Sequence, residues 1–307
     1  MGKKRFPRTM LATVCIPWTE EYEFDEKTFC NQIKRYKDFN MKHLYIFGTA
    51  GEGFVVNEEQ YEMIVSVFAR EMKKYDMYPI IGIMNASLPI MHQRLKKAYE
   101  FGIRDFQFPI PGWTRLSDKE MWLFFHNFCD PYPDCKFMIY NDGRSKRLLN
   151  VQDFVKLAEE IPNVVSAKFT SANFTDIHEI VDSQCPIQFF LPGFRTYGYA
   201  SMLGEFGYLM ALSCTNPERA RSFFQAGIDK DFSKMGNYIQ ELHRIFKKLI
   251  KIIGPDKVDG AVDKIYSKNL DNDFPLRLQP PYEALTDEQF QEYSNFLKKD
   301  YPQWICK

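Results

Sequence analysis

Three residues combine a reactive side chain with a suggestive setting: Lys168, Tyr140 and Thr49. Lys168 stands near the end of the apolar run Val164-Val-Ser-Ala-Lys-Phe169. An amine held among apolar groups loses proton affinity, and a neutral amine attacks a carbonyl carbon to give a Schiff base. The competing reading is a lysine that leaves the rim of a barrel and solvates its charge. Tyr140 closes the run Lys136-Phe-Met-Ile-Tyr140, and its phenol could carry the protons that carbinolamine dehydration and enamine protonation require. In Gly48-Thr49-Ala50-Gly51-Glu52-Gly53, small residues would let backbone N–H groups and the Thr49 hydroxyl approach a carboxylate, although a plain tight turn has the same composition.

These residues need a scaffold that presents strand ends on one side. Apolar runs of strand length fall at 10–18, 43–47, 78–84, 106–110, 136–140, 164–169, 187–191 and 208–213. Most are continuously apolar, as expected of strands buried on both faces of a parallel sheet. Between them, residues 25–39, 58–74, 88–101, 118–129, 151–160, 174–182, 197–205 and 217–227 repeat apolar positions at helical steps. Asn57, Ser117 and Asn150 read as N-caps and Gly102 as a helix stop. Alternation of this kind predicts an α/β fold, an eightfold (β/α) TIM barrel over residues 1–227, with a C-terminal helical extension over 228–307 built from 231–253, 256–268 and 286–299. An open doubly wound sheet would carry a glycine-rich loop after its first strand, where this chain reads Ile-Pro-Trp-Thr-Glu. In a barrel of this kind the reactive positions are strand C-termini, here Thr49, Tyr140, Lys168, Gly193 and the segment beginning Leu209-Met210.

Composition narrows the partners. Lys plus Arg equals Asp plus Glu at 40 each, so the chain lacks the basic footprint of a nucleic-acid or membrane-surface protein, and a small substrate is expected. Seven scattered cysteines without a C-x-x-C pair read as reduced thiols, and neither a signal peptide nor a membrane span is apparent, so a cytoplasmic protein is expected. The five histidines show neither H-x-x-x-H nor H-x-H spacing, which leaves a metallohydrolase barrel without its ligands.

The segments Gly48-Thr-Ala-Gly-Glu-Gly, Tyr140-Asn141, Val164-Val-Ser-Ala-Lys168, Leu191-Pro-Gly193 and Asn216-Pro217 resemble the ordered motifs of the dihydrodipicolinate synthase and N-acetylneuraminate lyase superfamily, as does the spacing from Tyr140 to Lys168. The resemblance spans nearly the whole chain, including Phe274-Pro-Leu-Arg277 in the helical tail. It implies a class I aldolase or lyase in which Lys168 forms an imine with pyruvate or another 2-oxo acid, Tyr140 shuttles protons, and Thr49 with its loop holds the carboxylate. It implies no metal or organic cofactor, an aldehyde as the other small-molecule partner, and a homodimer or homotetramer.

Departures from the family pattern limit the substrate. Ala50 replaces a second hydroxyl residue beside Thr49, and Trp113 stands where the synthases place a tyrosine that enters the neighbouring subunit's site. Their Pro-x-Arg-Thr-Gly string, whose arginine binds the aldehyde's carboxylate, is here Asp142-Gly-Arg144-Ser-Lys-Arg147. Arg144 or Arg147 could substitute. Lysine biosynthesis is therefore the weaker expectation; a hydratase-aldolase for aromatic 2-oxo-alkenoates with Trp113 in the pocket, a sugar-acid aldolase or dehydratase, and a catalytically reduced 2-oxo acid sensor stay open, with Trp113 equally readable as an oligomer contact.

Overall fold

The computed structural model describes residues 3–170, 173–209 and 211–306, apart from the side chain of Ser213. Eight parallel strands, β1 (Met10–Thr13), β2 (His43–Ile46), β3 (Tyr78–Gly82), β4 (Asp105–Phe108), β5 (Lys136–Asn141), β6 (Val164–Phe169), β7 (Gln188–Leu191) and β8 (Gly207–Leu209), close into a barrel in sequential order. Helices α1 (Glu26–Asp38), α2 (Glu58–Lys74), α3 (Leu88–Glu100), α4 (Asp118–Cys129), α5 (Val151–Glu160), α6 (Phe174–Ser183), α7 (Phe194–Leu203) and α8 (Pro217–Ile228) alternate with them. A helical extension follows: α9 (Phe232–Ile253), α10 (Asp259–Leu270) and α11 (Asp287–Asp300). Among the described residues no helix is long and apolar enough to cross a membrane, and no disulfide links the cysteines.

The expected caps are present. Asn57, Ser117 and Asn150 each accept a backbone N–H from the third residue onward, and in all three a side chain at that position bonds back to complete a capping box. Gly102 follows α3 with φ +87°, a left-handed turn that a side chain would strain. Two strands stop well short of their predicted ends. β1 ends at Thr13, after which Pro17 removes a donor and Trp18 pairs with Phe24 instead. β8 ends at Leu209 and the chain turns into a 3-10 helix at Ala211–Cys214.

By internal contacts the chain divides into two compact units, residues 1–9 with 80–209 and residues 10–79 with 210–307. In the first, aromatic rings fix which strand residues face outward. Phe169 and Phe189 pack on Phe154 of α5 at 6.0 and 5.1 Å, and Phe108 and Phe137 pack on Phe128 of α4 at 4.7 and 5.6 Å. Because side chains alternate along a strand, Tyr140, Lys168 and Phe190 must face the opposite way, into the barrel. Gly207, opposite Phe190 in the β7–β8 register, has no side chain to displace that ring. Beneath the strands, Lys4, Arg5 and Arg8 donate to the carbonyls of Cys185, Ala158 and Phe206 at 2.6, 2.6 and 3.2 Å. Of these acceptors Ala158 lies in the last turn of α5, where carbonyls lack an intrahelical partner, and Cys185 and Phe206 lie in the segments that lead into β7 and β8.

In the second unit, β1 and β2 pair with Thr13 opposite Tyr45, and a buried polar cluster forms around them. The Tyr36 hydroxyl donates to the Thr13 carbonyl at 2.9 Å, and burial raises the phenol well above its ordinary range.

Candidate active site

Lys168 and Tyr140 meet as the sequence predicts. They are register partners on β6 and β5, and the Lys168 Nζ donates to the Tyr140 hydroxyl at 2.6 Å. The Lys168 side chain brings Nζ to 3.9 Å from the phenol ring centroid, and Lys168 is only 7% exposed. Phe190 flanks Lys168 on the other side, in register on β7. An amine so enclosed, with a hydroxyl at hydrogen-bond distance, has what a carbonyl nucleophile and its proton carrier need.

A third member was missed by sequence reasoning. Asp142 places Oδ2 3.7 Å from Lys168 Nζ, with its side chain 12% exposed. The turn that sets it there is well determined. Asn141 exchanges two hydrogen bonds with the backbone of Leu149, both 2.9 Å, pinning the two ends of the intervening segment. Asp142 then caps a short 3-10 helix, Gly143–Ser145, by accepting the Arg144 N–H at 3.2 Å. In the sequence, Asp-Gly reads as an ordinary turn; only the Tyr140–Lys168 register reveals what lies beside the aspartate.

The structure separates the two candidate arginines. Arg144 donates through Nη1 to Asp142 Oδ1 at 3.2 Å and is half exposed, so it belongs to the Lys168 cluster. Arg147 instead bridges Asp118 and Asp153 in the first turns of α4 and α5, at 2.8 and 3.6 Å. Trp113 is 90% exposed, and an indole so placed does not line an enclosed pocket of the single chain. Its neighbour Gly112 leans on the Arg144–Ser145 backbone, where a Cβ would come within 2.5 Å of the Arg144 carbonyl. Gly193 ends the segment after β7 and precedes α7, and Leu209 is buried at the end of β8. Met210 lies outside the described residues.

In the other unit, Thr49 and Ala50 are buried just beyond β2. The N–H groups of Gly51 and Glu52 bond back to the Gly48 and Thr49 carbonyls at 3.1 and 3.2 Å, which narrows the expected anion donors in this loop to the residues before them. The turn is tight: a Cβ at Gly51 or Gly53 would fall 2.7 or 2.6 Å from the Phe47 backbone. Glu52 takes the left-handed conformation, φ 56°, and its buried carboxylate holds three donors: Lys264 Nζ at 2.6 Å, Trp18 Nε1 at 3.0 Å and the Gln279 N–H at 2.8 Å. Lys264 and Gln279 come from the helical extension. Burial draws the Lys264 ammonium below its ordinary range, against the pull of Glu52. No local pattern in the sequence announces this pair.

An eightfold barrel with a helical tail, carrying a buried amine beside a phenol at adjacent strand ends, has the plan of the aldolase-type lyases. By sequence the chain matches the dihydrodipicolinate synthetase family over residues 6–300, and it belongs to that family, whose members are lyases. It is 24% identical over 283 residues to a 4-hydroxy-tetrahydrodipicolinate synthase of Aquifex aeolicus, covering 91% of this chain and 95% of that one. In fold it is similar to YagE of E. coli K12, solved in complex with pyruvate (TM-score 0.86, 16% identity, 97% and 99% of the two chains covered). It is also similar to the sialic acid aldolase of Ruminococcus gnavus (TM-score 0.83, 15% identity, 97% and 99% covered).

Proposed function

We propose that the protein is a class I, Schiff-base-forming aldolase acting on pyruvate or a related 2-oxo acid. The observation that carries this reading is the 2.6 Å contact between Lys168 Nζ and Tyr140 Oη in a buried setting at neighbouring strand ends. The Lys168 amine attacks the keto carbon, and Tyr140 relays a proton from nitrogen to the new alkoxide to give the carbinolamine. The phenol then protonates that hydroxyl, so that water leaves and an iminium stands beside a phenolate. The iminium withdraws electrons from the adjacent methyl carbon, whose proton passes to the phenolate, giving an enamine and restoring the phenol. That carbon attacks the aldehyde carbonyl, the new alkoxide takes the Tyr140 proton, and water adds to the iminium and returns a proton to the phenolate as the product leaves Lys168; cleavage is the same sequence reversed. Thr49 and Ala50 are proposed to receive the 2-oxo acid's carboxylate, and Gly193 and Leu209 are proposed as further substrate contacts. The residues of this chain supply the proton transfers and binding contacts themselves, and no cofactor enters the scheme.

Ala50, Trp113 and the Asp142-Gly-Arg144 turn favour a role other than dihydrodipicolinate synthesis. Trp113 is read as a contact between copies of a homodimer or homotetramer, supported by its 90% exposure in the single chain. The decisive experiment is incubation with pyruvate, borohydride reduction and mass spectrometry. The expected result is a covalent adduct on the peptide carrying Lys168, absent in Lys168→Ala; no adduct with any 2-oxo acid tested removes the proposal.

A further inference from the structure

We propose that Asp142 selects the electrophile, admitting a neutral aldehyde that carries hydroxyl groups and discriminating against one that carries a carboxylate. The inference rests on the Schiff-base reading above. Asp142 presents Oδ2 at 3.7 Å from Lys168 Nζ while Oδ1 is oriented by the Arg144 N–H and Nη1, both at 3.2 Å. Its carboxylate is therefore aimed, with one oxygen committed to the turn and the other turned toward the amine.

The reaction geometry brings the aldehyde close to that oxygen. In an enamine on Lys168 the nucleophilic carbon is two bonds from Nζ, about 2.5 Å away. A reacting carbonyl carbon approaches it to about 3–3.5 Å. Attack runs through the π orbital, roughly perpendicular to the enamine plane, so the aldehyde carbon lies about 4–5 Å from Nζ, and groups one or two bonds along its chain can come within hydrogen-bond reach of Asp142. An ionised carboxylate can only accept, so hydroxyl groups suit it. A second carboxylate in the same place meets a like charge where little water screens the repulsion. The cation that would ordinarily welcome such a group, Arg144, is already held on Asp142 Oδ1.

The test uses the intact protein with pyruvate as donor and two aldehydes, glyceraldehyde and succinic semialdehyde, measuring kcat/KM for each beside borohydride trapping on Lys168. The wild type is expected to favour glyceraldehyde about tenfold or more, a discrimination that one aimed charge can supply. Asp142→Asn, which keeps shape and removes charge, is expected to move the ratio toward the semialdehyde about tenfold or more, chiefly through KM. Asp142→Glu should retain the wild-type preference. A wild type that prefers the semialdehyde or does not turn over glyceraldehyde overturns the proposal, and so does an unchanged ratio in a trapping-competent Asn variant. In each of those cases adduct formation leaves the Schiff-base reading standing. Absence of any adduct in the wild type overturns both.

Discussion

Replacing Lys264 by methionine strips the contacting counter-charge from a buried carboxylate. Glu52 and Lys264 are 2% and 0% exposed at the side chain and 2.6 Å apart. After the substitution Glu52 keeps the Trp18 and Gln279 N–H donors, so hydrogen bonding falls from three partners to two while the negative charge stays buried. Breaking a buried pair from one side costs about 3–5 kcal/mol, whereas removing charge from both sides costs much less. Glu52 also sits at φ 56°, a left-handed conformation worth about 1–2 kcal/mol of strain for a residue with a side chain, and the lost contact is part of what holds it there.

In a chain of this length each kcal/mol corresponds to about 2 °C in Tm, so Lys264→Met should lower Tm by about 6–10 °C. Glu52→Gln combined with Lys264→Met should recover about 1–3 kcal/mol of that loss, because the amide needs no counter-ion. Scanning calorimetry on the three proteins measures both quantities. A Lys264→Met variant within about 1 kcal/mol of wild type, or a double variant no more stable than the single one, would refute the reasoning. Since Thr49 and Ala50 precede Glu52 in the same tight turn, the surviving folded fraction of Lys264→Met should also show a raised KM for the 2-oxo acid with a smaller change in kcat.

Tyr140→Phe should slow turnover by about 10²–10⁴-fold while borohydride trapping persists in part, and an unaffected kcat would remove the phenol from the mechanism. Asn141→Ala orphans the buried N–H and C=O of Leu149, so a loss of about 2–3 kcal/mol is expected in chemical denaturation; a neutral result would mean that water replaces both bonds. His43 stacks on Tyr78, and burial with nearby Lys42 lowers its pKa from 6.5 to about 4. The unfolded chain therefore binds a proton that the folded chain refuses between those values. Stability present above pH 6.5 should fall by about 1–2 kcal/mol as pH drops toward 4, and His43→Gln should flatten that part of a Tm–pH curve.

The elements were readable because their signals are local. Continuous apolar runs, capping boxes at Asn57, Ser117 and Asn150, and helical spacing placed α2, α4, α5 and β6 to the residue. Misjudged ends trace to competing local chemistry. α7 begins at Phe194, directly after Gly193, three residues before the start at 197 that apolar spacing predicts. α10 begins at Asp259 and not at Asp256, because Val258 is extended. Lys168 and Tyr140 are conspicuous in the sequence because each ends an apolar run, where a polar side chain stands out. Asp142 and Lys264 do not stand out: one is part of a turn signature, the other one lysine among many on an amphipathic helix. Their roles depend on register and on contacts spanning up to 212 residues, which no local pattern carries.

That difference bears on how substrate choice changes within one barrel. The Lys168–Tyr140 pair sits on β6 and β5, where ring packing behind Phe137, Phe169 and Phe189 fixes which side chains face inward. A substitution among those rings would move Lys168 itself. Asp142 lies one residue past the end of β5, on a turn pinned by Asn141 and capped by its own side chain, so its identity can change without disturbing strand register. A group 3.7 Å from the Lys168 nitrogen yet outside the hydrogen-bonded sheet is free to vary in charge while the Lys168–Tyr140 geometry persists. Selectivity for the second substrate is accordingly expected to reside in the residues just beyond the strand ends, and the Asn141–Leu149 clamp allows such variation without loss of the fold.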